Sequence, residues 1–373
     1  MAKAQWTITH NTTDITSRVL SFQLDQGRNQ YIDQYPGGRV RITINNSANY
    51  AVGIEYGSQI KVETNPAGVQ FFTIYWVESV TYSDYPGNTG LNTATIICAD
   101  WIARAGRVYA NALVLSAMDT TLQMKQFEAS NLGPLPADML ILGGSGSSTA
   151  AATTYTGTAA NYLNLLQTTE RGYLVLRGTY LYMVGRGQVN TFTPSFTLGR
   201  SPSNTVMAYQ EFLRIEAGAQ YINTATIEPE PLADQTAVNT TSRTTYGPAF
   251  YSSATVDNTT TQALGNAQWI VNTFGDPNVL RFDVTITDTM QTTTGWNSFM
   301  QTVWGSDNRV VNIDYTVPGG SSVTVPAVIE GANFRVTPNQ TVLNMSLSPL
   351  TFYQFFTLNS STLGILNTSR LGW

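Results

Sequence analysis

Tyr56-Gly57-Ser58-Gln59-Ile60-Lys61-Val62, followed by Val77-Glu78-Ser79-Val80-Thr81-Tyr82, decides the fold, because the chain states this stretch again near its far end. There it reads Trp304-Gly305-Ser306-Asp307-Asn308-Arg309-Val310 and then Ile329-Glu330-Gly331-Ala332-Asn333-Phe334. Each copy gives aromatic-Gly-Ser, two variable residues, a cation and a valine, and later an apolar residue, a glutamate and a small residue. A proline turn follows each (Pro86, Pro338), then an alternating strand, Thr93 to Cys98 in one and Leu343 to Leu347 in the other. A β module repeated so far apart implies two copies of one small domain. Two copies do not make a solenoid, which needs stacked neighbours to bury its faces.

Outward from the first copy, Val40, Ile42 and Ile44 alternate with Arg39, Arg41 and Thr43, the period of a half-buried strand. Ile60 with Val62, Phe72 with Ile74 and Trp76, and Ala94 with Ile96 and Cys98 mark further strands. Turn chemistry at Pro36-Gly37-Gly38, Asn65-Pro66-Ala67-Gly68 and Pro86-Gly87-Asn88 separates them. The implied unit is an antiparallel barrel or sandwich.

The character changes after Trp101. Thr120-x-x-Gln123 fits a capping box for a helix with Leu122 and Ala129 on one face and Gly133 as its stop. A second helix from Ala159 to Glu170 carries Tyr162, Leu165, Leu166 and Thr169 as a buried stripe, ended by Gly172. Tyr173 to Leu176 and Leu181 to Val184 form a hairpin around Gly178. From Thr191 the β pattern returns; a helix from Thr259 to Phe274 and a strand from Leu280 to Ile286 read as an α+β insertion in the second barrel. Trp296, Met300 and Val303 have the spacing of a short helix.

Composition narrows the function. Of 373 residues only 12% are charged, while 42% are hydrophobic and 11% aromatic; such a chain suits strands, turns and protein-covered surfaces. A net charge of -5 with a pI near 4.9 argues against gripping a nucleic-acid backbone. It suits a polar or acidic wall along which a polyanion passes. The single cysteine, Cys98, lies on an alternating strand and reads as a buried thiol. The lone His10 leaves catalytic triads and His-based metal sites without parts. The chain start shows no signal-peptide pattern, and no apolar run is long enough to span a membrane.

No Walker, EF-hand, zinc or nucleophile-elbow motif stands in the chain, and no cofactor or metal is expected. Glu78 and Glu330 are the tempting carboxylate pair. Because they occupy equivalent places in a duplicated module, a shared structural role is the expectation. Arg28, Arg39 and Arg41 near Tyr31 and Tyr35 read as strand-surface and interface residues. The aromatic end, Phe352 to Phe356 and Trp373, reads as a tail that docks on a domain or a neighbouring subunit.

Four stretches stand in order along the chain: Asp14-Ile15-Thr16-Ser17-Arg18-Val19 with Gly27-Arg28-Asn29-Gln30-Tyr31-Ile32-Asp33; Val77-Glu78-Ser79 leading through Tyr85-Pro86 to Ala99-Asp100; Asn161-Tyr162-Leu163 through Gly172-Tyr173-Leu174-Val175-Leu176; and Leu358-Asn359-Ser360-Ser361-Thr362-Leu363-Gly364 to Leu371-Gly372. Together they resemble minor tail proteins of long-tailed bacteriophages, of the baseplate-hub or tail-tip type. Tyr75 stands where the resemblance would put a glycine.

The resemblance implies a mainly β fold with α+β insertions: two related tube-like antiparallel β-barrel domains plus two smaller α+β domains. The expected division is 1–103 for the first barrel, 104–190 for an α+β hub domain, 191–232 with 304–349 for the second barrel, 233–303 for an inserted α+β domain and 350–373 for a docking tail. It further implies a homotrimer whose six barrels match a hexameric tail tube, a channel through which DNA leaves, and a place at the virion's tail tip after assembly in the host bacterial cytoplasm. Distal tail, tape-measure and tail fibre or tip proteins are the implied partners. Arg28, Tyr35, Glu78, Glu330, Phe355 and Trp373 are the structural or interface candidates, with no catalytic residue expected. A carbohydrate-binding adhesin, or receptor-binding tail protein, is the alternative; a wall-degrading enzyme is the other.

Overall fold

The structure, a computed structural model, describes residues 6–48, 51, 53–64, 71–129, 140–143, 146–178, 180–216, 221–276, 280–304, 306–317 and 319–353. The first barrel is built from β1 (Trp6–His10), β2 (Thr13–Asp14), β3 (Val19–Gly27), β4 (Arg39–Asn45), β5 (Gln59–Thr64), β6 (Phe71–Ser83) and β7 (Thr93–Ala99). Their spatial order is β2-β1-β5-β6-β7-β4-β3. Alternation aims Val40, Ile42 and Ile44 at Ala94, Ile96 and Cys98, all fully buried, and turns Arg39 and Arg41 outward. The Ile8 amide donates to Thr16 Oγ1 and the Ile15 amide to the Ile8 carbonyl, which curls β1 toward the chain entering β3.

Beyond β7 the chain builds α1 (Trp101–Ala105), β8 (Tyr109–Leu115), β9 (Met118–Asp119), α2 (Thr120–Ala129), β10 (Leu140–Gly143), β11 (Thr149–Ala150), β12 (Thr153–Thr158), α3 (Ala159–Glu170), β13 (Tyr173–Arg177), β14 (Tyr180–Val184) and α4 (Arg186–Val189). Helix α2 differs from the sequence reading at its start. Asp119 Oδ1, not Thr120, accepts the first free amides, those of Thr121 and Leu122. Leu122 faces solvent while Met124 and Phe127 are buried; the expected stop, Gly133, lies outside the described residues. Helix α3 keeps its expected stripe and ends on Arg171, left-handed at φ 57°, one residue before Gly172.

Next come β15 (Thr197–Gly199), β16 (Val206–Glu216), β17 (Thr224–Pro229), β18 (Gln235–Val238), α5 (Thr240–Tyr246), β19 (Phe250–Thr255), α6 (Thr260–Phe274) and β20 (Leu280–Thr287). Then α7 (Thr293–Phe299), running on as a π-turn through Trp304, leads to β21 (Val310–Thr316), β22 (Ser322–Thr337) and β23 (Gln340–Pro349). Strands β21-β15-β16-β20-β23-β22 close on themselves as a six-stranded barrel. Strand β20, which linear order suggested for the 233–303 insertion, pairs instead with β16 and β23 inside this barrel. Trp296, Phe299 and Met300 fill the barrel core rather than the insertion.

Register shows the duplication residue by residue. Strand β4 lies between β3 and β7, pairing Ile42 with Phe22 and Ile96; β20 lies between β16 and β23, pairing Val284 with Phe212 and Met345. Bulges fall at matching places: Leu20 in β3 and Gln210 in β16, Glu78 in β6 and Glu330 in β22. The sequence match at Val77-Glu78 and Ile329-Glu330 is therefore in true register. The aromatic-Gly-Ser match is not: Gln59 opposite Trp76 answers to Val310 opposite Val328, so Val62 corresponds to Ile313 rather than to Val310.

The two α+β segments expected as separate domains share one hydrophobic core, in which Tyr162, Leu166, Ala225, Trp269 and Phe274 meet Leu350, Phe352 and Tyr353 from the end of β23. The additions that build the α+β core leave the barrels at one end. The β3–β4 connection, the β16–β20 insertion, the segment after β7 and the chain after β23 all start where Arg39 pairs with Ala99, or at its equivalent. The opposite end carries the Thr337–Gln340 turn, the β4–β5 connection and, beyond Thr287, the segment with α7.

Asp100 governs the exit from β7. Its Oδ1 accepts from the Ala103 amide at 2.9 Å, capping α1, and its Oδ2 from the Gly38 amide at 2.5 Å. Burial lifts this carboxyl from 3.8 to about 6, with the amide hydrogen bonds opposing the rise. The folded value exceeds the unfolded one, so the contribution is fully present below about pH 4 and is lost as pH rises through about 6. The stability difference between the parent and Asp100→Asn, from melts across this range, is expected to shrink as pH rises; a difference independent of pH contradicts the assignment.

Candidate functional site

The two barrels are fused edge to edge. Strand β3 pairs antiparallel with β22, from Gly27 opposite Gly331 to Phe22 opposite Val336. Continuous pairing then runs β6-β7-β4-β3-β22-β23-β20-β16, a single curved sheet across both barrels. Close approach at the joint needs glycine: a Cβ on Gly27, whose φ is +86°, would stand 2.2 Å from the Glu330 carbonyl oxygen, and one on Gly331 2.5 Å from the Arg28 carbonyl oxygen.

At the end of this seam lies a buried charged knot. Arg28 Nε donates to Glu330 Oε2 at 2.8 Å, Arg28 Nη2 to the Tyr353 hydroxyl at 3.0 Å, and that hydroxyl to Glu330 Oε1 at 2.8 Å. The Arg28 amide also donates to the Glu330 carbonyl at 3.0 Å. The bulge is what turns Glu330 out of the β22 ladder toward Arg28. Burial alone would lower the Arg28 pKa, but the adjacent Glu330 carboxylate outweighs it and holds the guanidinium above its ordinary value. Burial, and then Glu330, push the Tyr353 phenol well up, so it stays a neutral donor.

Aromatic rings wall the knot. The Arg28 guanidinium lies 5.1 Å from the Tyr31 ring centre and 6.0 Å from that of Tyr35, and Tyr31 meets Tyr353 edge-on at 4.5 Å. The Tyr31 hydroxyl donates to the Arg171 carbonyl at 2.6 Å, which ties the β3–β4 connection to α3. Next door, Arg171 and Arg186 each lie 6.0 Å from the Trp269 ring centre. The Glu170 carboxylate accepts from the Ser147 and Ser148 amides and the Ser147 and Thr120 hydroxyls.

Of the sequence candidates, the structure brings Arg28, Tyr35 and Glu330 together. Glu78 occupies the equivalent bulge of the other barrel and is bonded to Arg107 Nη2 at 2.5 Å on a partly exposed surface. Phe355 and Trp373 lie outside the described residues. Sequence reasoning missed Tyr353, Arg171, Arg186 and Glu170. The clue to Tyr353 was its place just after the second module, in the segment that answers to α1 after the first. Tyr75 is fully buried, its hydroxyl accepting from Gln26 Nε2 at 2.7 Å. Cys98 is buried, and burial pushes its thiol up. Among the described residues no cluster of three or more His, Cys, Asp or Glu could hold a metal ion, and no helix is long and apolar enough to cross a membrane.

The sheet face turned away from the barrel cores carries Asp25, Glu211 and Asp283 beside Arg39, Arg41, Arg281 and Arg335. Its charges are of mixed sign.

No protein-family model matches the chain, and no curated protein matches its sequence. Solved structures do. The tail protein from Neisseria meningitidis MC58 aligns with a TM-score of 0.62 at 11% identity, over 92% of this chain and 95% of that one. The fold is that of a phage tail protein. The 43 kDa tail protein of prophage MuSo2 from Shewanella oneidensis aligns with a TM-score of 0.62 at 12% identity, over 94% and 98% of the two chains. Prophage tail protein gp18 from Listeria monocytogenes EGD-e gives 0.54 at 8% identity, over 92% and 94%.

The knot and its surface counterpart make a paired test. Glu330→Gln leaves the Arg28 charge buried without its counter-ion and is expected to cost about 3–5 kcal/mol in denaturant unfolding. Glu78→Gln, at a partly exposed pair, is expected to cost about 1 kcal/mol or less. Equal losses would contradict the different roles assigned to the two bulge glutamates.

Proposed function

We propose that this chain is a structural baseplate-hub, or tail-tip, protein of a phage tail. Copies join head to tail in a trimeric ring, each supplying two barrels, so that six similar barrels face the hexameric tail tube. The observation that carries this reading is the register-exact duplication: two equivalent barrels in one chain, already fused edge to edge through β3 and β22. A chain with two equivalent units converts threefold into pseudo-sixfold symmetry, and heterologous contacts that close produce such rings.

The ring surrounds the channel through which DNA leaves. Its wall is the outward face of the continuous sheet, whose mixed charges avoid a uniformly basic surface that would hold phosphates. Its role is mechanical rather than catalytic. The distal tail protein and tape-measure protein contact it from the tube side, and fibre or tip proteins from the other, in a virion tail tip assembled in the host bacterial cytoplasm.

Electron-microscope class averages of the purified chain, with its native mass, test this. A threefold cup with six inner lobes is the expected result; a chain that remains monomeric at all accessible concentrations overturns the ring. The exposed rings of Tyr109 and Phe250, at 64% and 70%, favour a sugar-binding adhesin as the second reading. Saturable binding on a glycan array by a monomeric chain would put that reading first.

A further inference from the structure

Among the described residues, one stretch of edge on β6 and one on the other barrel's β16 have no strand partner, and the internal duplication suggests how they fit each other. Strand β22 is paired with β23 along one edge from Ala327 to Thr337; its other edge takes β21 up to Val328 and β3 from Gly331. In its counterpart β6, β7 fills one edge from Trp76 to Ser83, and β5 fills the other only up to Trp76. From Ser79 to Ser83 that second edge is open. Strand β16, the counterpart of β3, is held by β20 on one edge, while β15 covers only Val206 to Ala208 on the other. From Glu211 to Glu216 it is open as well. Open edges with free amides and carbonyls pair with other strands.

We infer that the open edge of β16 in one copy pairs antiparallel with the open edge of β6 in the next, in the register that β3 and β22 use within the chain. This rests on the ring reading above and names its joint. Matching bulges fix the register. Within the chain Leu24 pairs with Phe334, Asp25 with Asn333 and Gln26 with Ala332. Their equivalents put Arg214 opposite Tyr82, Ile215 opposite Thr81 and Glu216 opposite Val80. The exposures agree. Phe334, covered at the internal seam, is 0% exposed, while its equivalent Tyr82 is 50% exposed and Leu213 on the opposing edge is 49% exposed. Arg214 gains the face of Tyr82, a cation–π contact of the kind it already makes at 5.8 Å with Tyr315.

The joint between copies differs from the internal one at its tight end. Gly27 and Gly331, whose missing side chains allow the close approach within the chain, answer to Ala217 and Ser79, so the inferred ladder is confined to 214–216 opposite 80–82. Counting on from Glu216, the residue that answers to Arg28 is Gly218, so no guanidinium reaches the bulge glutamate of the neighbour. Glu78 is bonded instead to Arg107 of its own chain. The internal seam is locked by a buried ion pair and the external one is not, which makes the external seam the separable one.

Disulfide trapping in the full chain tests the register. Directly opposed residues of an antiparallel pair have Cα atoms about 4.5–5.5 Å apart, within disulfide range. Tyr82→Cys with Arg214→Cys, and Thr81→Cys with Ile215→Cys, sample the two alternating pair types, and buried Cys98 stays apart. Reduced variants are first matched to the parent in melting and mass. On oxidation at least one pair is expected to give a covalent species of three chains, while Tyr82→Cys with Leu213→Cys, whose side chains face opposite sides, gives none. A three-chain assembly in which neither expected pair cross-links overturns this joint and leaves the ring standing. A chain that never assembles overturns the ring and the joint together.

Discussion

The buried bond between Arg28 and Glu330 joins residues 302 positions apart, and the rest of the molecule is arranged around it. Neither charge reaches solvent, so each exists only because the other is in place. Arg28 comes from the start of the β3–β4 connection of the first barrel, Glu330 from a bulge of the second and Tyr353 from the chain leaving the second barrel into the α+β core. Segments of both barrels and of the α+β core are thus required to meet at one point with hydrogen-bond precision. An apolar contact there would tolerate a slip along the seam, whereas a two-point carboxylate bridge between a guanidinium and a phenol does not.

Much of this was legible in the sequence because strand period is a short-range signal. Val40, Ile42 and Ile44, the Tyr162–Leu166 stripe and the equivalence of Glu78 with Glu330 follow from local alternation and from repetition. What failed depended on distance. Strand β20 sits in sequence beside the inserted helix α6, and only its ladder with β23 places it in the barrel. The Tyr56-Gly57-Ser58 echo in Trp304-Gly305-Ser306 misled because loop lengths differ between the barrels while the ladders do not. At α2, Asp119 and Thr120 both offer a capping oxygen, and only the geometry decides for Asp119.

The site was half legible for the same reason. Arg28 and Tyr35 stood out as an aromatic-basic cluster, and Glu330 as a repeated acid, but nothing in the sequence said that they meet. Tyr353 was hidden inside an aromatic tail that reads as one undifferentiated feature. Duplication supplied the link that composition could not. Glu78 and Glu330 occupy equivalent bulges, and only Glu330 is buried, at the seam inside the chain.

The shared α+β core lies at one end of the barrels, whereas the other end carries the Thr337–Gln340 turn and the connection with α7 that starts beyond Thr287. The two ends of each barrel therefore present unlike surfaces. On the ring reading, every copy points the same way, so the layer has a polarity: one rim is bulky, the other trim, and each offers a different surface to whatever meets it.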